Sequence, residues 1–246
     1  MEIFLKMIID FIKSLFSKNS DKLGMNLVEE KVVYRSNIKI LIDNGHGVDT
    51  AGKRSPYSMT GVKPELSFYE YSWNREIANE LLYELCFIGF DAELLVPEAK
   101  DISLKERTQR VNQYCNELGK ENVILISIHS NALGNGTKWE KATGWEAYTC
   151  LGNTESDNMA KFFYNAAEKH FSDRKIRYDW SDGDCDKEAG FYIIKNTKCP
   201  AILTENFFYD NIEDVKFITS KEGKRKIIDM HIDAIVNYLE NKEGDH

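Results

Sequence analysis

Apolar and polar positions alternate in two different rhythms along the 246-residue chain. In residues 1–17, MEIFLKMIIDFIKSLFS, the residues Ile3, Phe4, Met7, Ile8, Phe11, Ile12, Leu15 and Phe16 recur at the i, i+3, i+4, i+7 spacing of one helix face. Residues 18–36 turn polar and read as a linker, with a short strand expected at Val32–Tyr34. From about residue 37 onwards, short β-branched runs alternate with helix-period stretches. Strands are predicted at 38–42, 91–96, 122–128, 144–150 (GWEAYTC), 190–194 (GFYII) and 201–204. The 144–150 strand is expected beside 122–128. Helices are predicted at about 66–87, 103–118, 155–171 and 220–240. Gly89 stops the first, and Ser103 with Glu106 offers a capping box to the second.

Such alternation implies an α/β domain with a mixed, mostly parallel twisted sheet flanked by helices on both faces, preceded by the N-terminal amphipathic helix. The expected division is residues 1–36 as helix and linker and residues 37–246 as one catalytic domain. The chain is long enough to bury a core without cross-links. Its five cysteines have no close pairing and are read as reduced thiols. A net charge of −8 and a pI near 5.3 argue against nucleic-acid binding, because phosphate neutralisation requires a concentrated basic face. No apolar run is long enough for a membrane span. Residues 1–17 do not read as a secretory signal, since Glu2 leads and Asp10 and Lys13 interrupt the apolar part. Packing on protein is the favoured role of that helix, with contact at a membrane surface as the alternative.

The chemistry-bearing residues lie where ligands collect in parallel sheets, beyond the carboxyl ends of strands. His46, between Gly45 and Gly47, follows the first strand; His129 closes the 122–128 strand; Glu205 closes the 201–204 strand. Glu70 stands near the head of the following helix. Each has a plain structural reading alone. Together, two histidines and a carboxylate around an open position form a catalytic zinc set, which leaves Glu205 free for proton transfer. His170 and His231 fall in helical stretches and are read as surface or packing residues. The acidic stretch at 179–188, DWSDGDCDKE, lacks the glycine and glutamate spacing of an EF-hand and reads as a mobile loop beside the site.

Five segments carry a family resemblance: ILIDNGHG, EYSWNREIANELLYEL, SLKERTQRVN, ISIHSNA and PAILTENFFYDN. In this order they resemble the motifs of the zinc-dependent N-acetylmuramoyl-L-alanine amidases of type 3, closest to phage-type or Bacteroides-type members. The resemblance covers about residues 37–240. It implies a single α/β domain that hydrolyses the amide between the muramic acid lactyl group and the L-alanine of the peptidoglycan stem. It also implies His46, Glu70 and His129 as ligands of Zn2+ and Glu205 as the catalytic carboxylate. Asn44 stands where the family usually has proline, and Asn206 where it usually has a small residue. Asn131, with Lys53 and Arg54 of the 49–58 loop, is expected to bind stem-peptide carboxylates. The expected substrate partner is the stem peptide with its muramic acid, and the chain is expected to act as a monomer. The expected setting is an enzyme made in the cytoplasm that acts at the cell wall or periplasm, after release as a phage or prophage lysin or by another export route. The competing readings are another zinc metallopeptidase, which the absence of HExxH disfavours, and a non-catalytic peptidoglycan-binding module.

Overall fold

The computed structural model describes residues 36–59, 61 and 63–244. The expected amphipathic helix at 1–17 and the strand at 32–34 lie outside these residues. Six strands form one sheet: β1 (Lys39–Asn44), β2 (Asp91–Leu94), β3 (Val123–Asn131), β4 (Glu146–Thr149), β5 (Lys187–Glu188) and β6 (Ala201–Phe208). Their spatial order is β2-β1-β3-β6-β4-β5. The first four of these positions run parallel, whereas β4 runs antiparallel to β6 and β5 parallel to β4. The mixed, mostly parallel sheet expected from the alternation is therefore present. The predicted neighbour relation differs in one respect: β6 intervenes between β3 and β4.

Alternate residues of the central strands feed two cores, as the two-residue period of a strand requires. Ile40, Ile42, Ile124, Ile126, Ile128 and Ile202 face one side. There they meet helices α1 (Glu70–Phe87), α3 (Glu155–His170), α5 (Ile212–Thr219) and α6 (Lys221–Gly244). Leu41, Val123, Leu125, Ala201 and Leu203 face the other side, against Val111 and Cys115 of α2 (Leu104–Leu118) and the single turn α4 (Tyr192–Lys195). A sheet covered on both faces explains why these strands read as nearly continuous apolar runs.

Local chemistry sets the helix ends. Ser103 Oγ accepts the amide of Glu106, but the Glu106 carboxylate turns to Arg110. The predicted capping box is thus only half made. A complete one stands at α3, where Thr154 and Asp157 cap each other. Helix α1 begins at Glu70, four residues later than predicted, because Tyr69 is held extended in a bridge to Arg54 and Glu70 N donates to Lys53 O at 3.0 Å. Gly223 lies so close to the Phe217 carbonyl that any Cβ would overlap it, which lets α6 follow α5 after a single residue.

Two predicted elements are corrected. GFYII is not a strand: Ile193 and Ile194 sit in the turn α4 and both bury toward α2, so tertiary packing overrides their β propensity. The last sheet strand does not end at 204; β6 continues to Phe208, with Glu205 inside it. Among the described residues no helix is long and apolar enough to cross a membrane.

Candidate active site

The loop leaving β1 is pinned from beneath. Asp43, 1% exposed, accepts Arg107 Nη1 at 2.5 Å and Ser127 Oγ at 2.6 Å. Arg107, equally buried, also donates through Nε to Ile102 O and through Nη2 to Asp101 and the carbonyl of His46. Arg75 reaches the same His46 carbonyl at 2.9 Å. These bonds hold His46 at φ 67°, a left-handed conformation uncommon outside glycine. Gly45 serves a different need: a Cβ there would overlap the His129 imidazole.

Glu70 enters from the first turn of α1 and is 1% exposed. Its Oε1 lies 3.1 Å from His129 Nδ1 and accepts Ser130 N at 3.2 Å, while its Oε2 lies 3.3 Å from His46 Nε2. The two imidazoles meet edge to face, with ring centroids 4.9 Å apart. Burial opposes ionisation of Glu70, but the bonds to His129 and His46 outweigh it and hold the carboxyl below the usual range. For His129, burial disfavours the cation, and the Glu70 carboxylate more than offsets it, so its pKa is raised. His46, Glu70 and His129 each bring one ligand atom within 4.8 Å of the other two. A set of two imidazole nitrogens and one carboxylate fits Zn2+ and leaves a fourth position open. A cavity of about 360 Å³ opens onto it, lined among others by His46, Leu104, Arg107 and His129.

Glu205 is the register partner of His129 across β3 and β6, and β3 is irregular between His129 and Asn131. Burial pushes its carboxyl up to about 8, an effect that Glu70 reinforces and the charges of His129 and Lys53 oppose. Asn206, the departure from the family pattern, is fully buried. It accepts Trp145 Nε1 and donates to His129 O at 3.0 Å, so it clamps the backbone of a candidate ligand.

The expected substrate residues are distributed along the rim. Lys53 is exposed, and its backbone carbonyl caps α1 beside Glu70. Arg54 is half-buried in the bridge to Tyr69. Asn131 donates to Glu146 Oε1 at 2.5 Å and its Oδ1 accepts Ala132 N. The sequence reading missed Glu146, which is 2% exposed and faces Glu205 from β4. It also accepts Tyr148 OH, Arg177 Nε and Lys187 Nζ. Its signal is present: a glutamate between Trp145 and Ala147, in a strand expected beside the apolar 122–128 run, needs buried partners. Asp43, which closes the apolar run 38–42, carries the same signal. Of the two helical histidines, His231 is fully buried as a packing residue, whereas His170 pairs with Asp233 near the surface.

A family model described as N-acetylmuramoyl-L-alanine amidase matches residues 40–237. The N-acetylmuramoyl-L-alanine amidase CwlM of Bacillus licheniformis is 27% identical over 205 residues, which cover 80% of this chain and 67% of that one. The endolysin of Bacillus phage SPP1 is 25% identical over 123 residues; the match covers 49% of this chain and 41% of the endolysin. The solved N-acetylmuramoyl-L-alanine amidase from Clostridium difficile 630 superimposes with a TM-score of 0.67 at 25% identity, covering 83% of this chain and 98% of that one. AmiC2 of Nostoc punctiforme shares the fold, with a TM-score of 0.65 at 19% identity over 84% of this chain and 99% of its own. With four fifths of its length matched and the same fold around the clustered histidines and glutamates, the chain belongs to the type 3 family of N-acetylmuramoyl-L-alanine amidases.

Proposed function

We propose that the protein hydrolyses the amide between the lactyl group of N-acetylmuramic acid and the L-alanine of the peptidoglycan stem, using Zn2+ held by His46, Glu70 and His129. The observation that carries this reading is the convergence of those three ligand atoms beside Glu205, the register partner of His129. Bound there, zinc supplies a Lewis acid for the amide carbonyl and acidifies water. Glu70 Oε2 and Oε1 face the ring nitrogens His46 Nε2 and His129 Nδ1 directly, and a bound ion would take the place of those two contacts.

Glu205 takes the proton from the attacking water and returns it to the alanine nitrogen as the C–N bond breaks. A carboxyl raised by burial accepts a proton readily near neutral pH, and the charge of a metal at the neighbouring ligands would draw it lower. Asn206 and Gly45 keep the His129 backbone and ring in place. Arg107 and Arg75 hold the His46 carbonyl.

Lys53 and Arg54 are proposed to meet stem-peptide carboxylates at the rim, and Asn131 keeps one amide hydrogen free for the substrate after its bond to Glu146. In this reading residues 37–246 are the catalytic unit, acting as a monomer on the wall. Metal analysis combined with digestion of purified peptidoglycan and mass spectrometry of the products tests it. Free L-alanine amino termini with intact glycan chains are expected; cleavage inside the peptide or the glycan would overturn the reading.

A further inference from the structure

Away from the histidines, a second group of acidic side chains comes together from two parts of the chain. Asp157 belongs to the first turn of α3, and Asp184 and Asp186 to the loop that leads into β5. Each brings one carboxylate oxygen within 4.8 Å of the other two. This is not the surface of a solvated loop: Asp157 is 4% exposed and Asp186 only 1%. Thr149 Oγ1, from the end of β4, lies between the buried pair, 2.8 Å from Asp157 Oδ1 and 2.7 Å from Asp186 Oδ2.

The hydrogen bonds at this position leave a deficit. A hydroxyl has one proton and cannot serve two carboxylates at once. Asp186 Oδ1 is buried and has no hydrogen-bond partner, and neither has Asp184 Oδ1. No ion pair among the described residues offsets the charge. Lys187, the next residue, and Arg177 are both engaged by Glu146 instead. Three carboxylates a few ångströms apart, with orphaned oxygens under cover, repel one another unless a cation or a shared proton joins them.

We propose that Asp157, Asp184 and Asp186 bind a hard divalent cation of the calcium class. All available donors are oxygens, which suits calcium or magnesium and disfavours zinc. Calcium fits better, because it accepts the irregular ligand geometry of a loop and a helix start, where magnesium demands a near-ideal octahedron. A cavity of about 500 Å³, lined by Asp157, Asp184, Asn153 and Asn158, gives the ion an entry path and room for water ligands. The 179–188 stretch lacks EF-hand spacing because its third ligand comes from α3, some 30 residues upstream in the chain.

The site would staple the loop and β5 to the start of α3. Lys187 follows Asp186 directly and bonds Glu146, whose register partner is Glu205. The cation would therefore brace the sheet edge that forms one wall beside the catalytic carboxylate. This inference does not depend on which amide the enzyme cleaves.

The test uses the full-length, zinc-loaded protein. Calcium titration by calorimetry, and thermal melts with calcium or magnesium, read binding. Terbium luminescence excited through Trp180 and Tyr178, which line the cavity, reports the location. Calcium at about a hundredfold excess over its Kd is expected to raise Tm by roughly 5–10 °C. Asp184→Asn and Asp186→Asn are each expected to weaken calcium binding and terbium signal at least about tenfold while zinc content stays the same. Because Asp184 is the more exposed of the two, its variant separates loss of the ion from loss of folding. Absence of calcium binding up to about 10 mM, above the range of weak extracellular calcium modules, would overturn the proposal. So would an equal Tm shift with magnesium, or a terbium signal that both variants leave unchanged.

Discussion

His129 and Glu205 are direct register partners on the two central parallel strands, β3 and β6. Partners in register emerge on the same face of a sheet, so the strand pairing itself sets the proposed metal ligand beside the proposed proton carrier. Glu146 continues the row from β4, opposite Glu205. Its charge is neutralised by Arg177 and Lys187, and burial is outweighed by those bonds, so its pKa is lowered. Of the two neighbouring glutamates, Glu146 is thus fixed as an anion, whereas Glu205 is raised to about 8. Their environments thus separate the two carboxylates, which suits Glu146 to a structural role and Glu205 to the proposed proton transfer.

Replacing Glu205 by Gln therefore removes the proton carrier without removing a metal ligand. Turnover on peptidoglycan is expected to fall by at least about 10²-fold, with zinc content unchanged. The folded-state pKa of Glu205 lies above its unfolded value of 4.5, so its contribution favours folding at low pH and is lost as pH rises toward 8. At pH 8 the metal-free variant should melt no lower than the wild type. Full activity in the variant would refute the assigned role.

His46→Ala removes one of the three proposed ligands and leaves Glu70 Oε2 without the imidazole 3.3 Å away. Bound zinc, measured by mass spectrometry of the metal after dialysis, should drop from about one per chain to a small fraction, and hydrolysis with it. Retention of stoichiometric zinc would exclude His46 from the ligand set.

Arg107 makes a different prediction, about stability rather than chemistry. It is the buried cation that serves Asp43, Asp101 and the His46 carbonyl at once. Arg107→Met strands the Asp43 carboxylate in the core, which costs about 3–5 kcal/mol in denaturant unfolding. Adding Asp43→Asn should recover part of that loss, because the unpaired charge is gone. A lysine at 107 cannot reproduce the fork and should also be destabilised. Urea titrations of the three variants decide the matter; equal stability of Arg107→Met and wild type would show that the pair does not carry this charge burden.

Much of this frame is legible in the residues themselves. The runs at 38–42 and 122–128 announce buried strands, and His46 and His129 follow from their ends because parallel strands deliver their termini to one edge. Glu70 needed the turn chemistry of 53–69, since Ser55 and Ser58 pin Phe68 and thereby set where α1 starts. Glu205 reads as a strand end, but β6 runs on to Phe208, the partner of Asn131 on β3, a long-range pairing that no local pattern encodes. The turn at 192–195 was hidden for the same reason: two adjacent isoleucines look like a strand until α2 claims both. Asp157 and Asp186 lie 29 positions apart, and only the β4–β5 edge brings them together.

His231 supplies the pH dependence. It is fully buried on α6, where Nδ1 donates to Ile227 O at 2.8 Å and Nε2 accepts the Thr204 hydroxyl at 3.0 Å. Both bonds suit the neutral ring. The proton needed at Nε2 for the cation would displace the hydroxyl donor, and burial pushes the pKa down to about 4, against the partial help of the Ile227 carbonyl. The folded value lies below the unfolded value of 6.5, so the unfolded chain takes up the proton first as pH falls. The contribution of His231 is complete above about pH 6.5 and is lost progressively down to pH 4, by on the order of 3 kcal/mol. Unfolding free energies of wild type and His231→Gln, measured from pH 7 to pH 4, isolate it from the other titrating groups. The wild type should lose stability faster than the variant across this window, and the difference should level off below pH 4. Parallel curves for the two proteins would show that His231 is not the group that titrates.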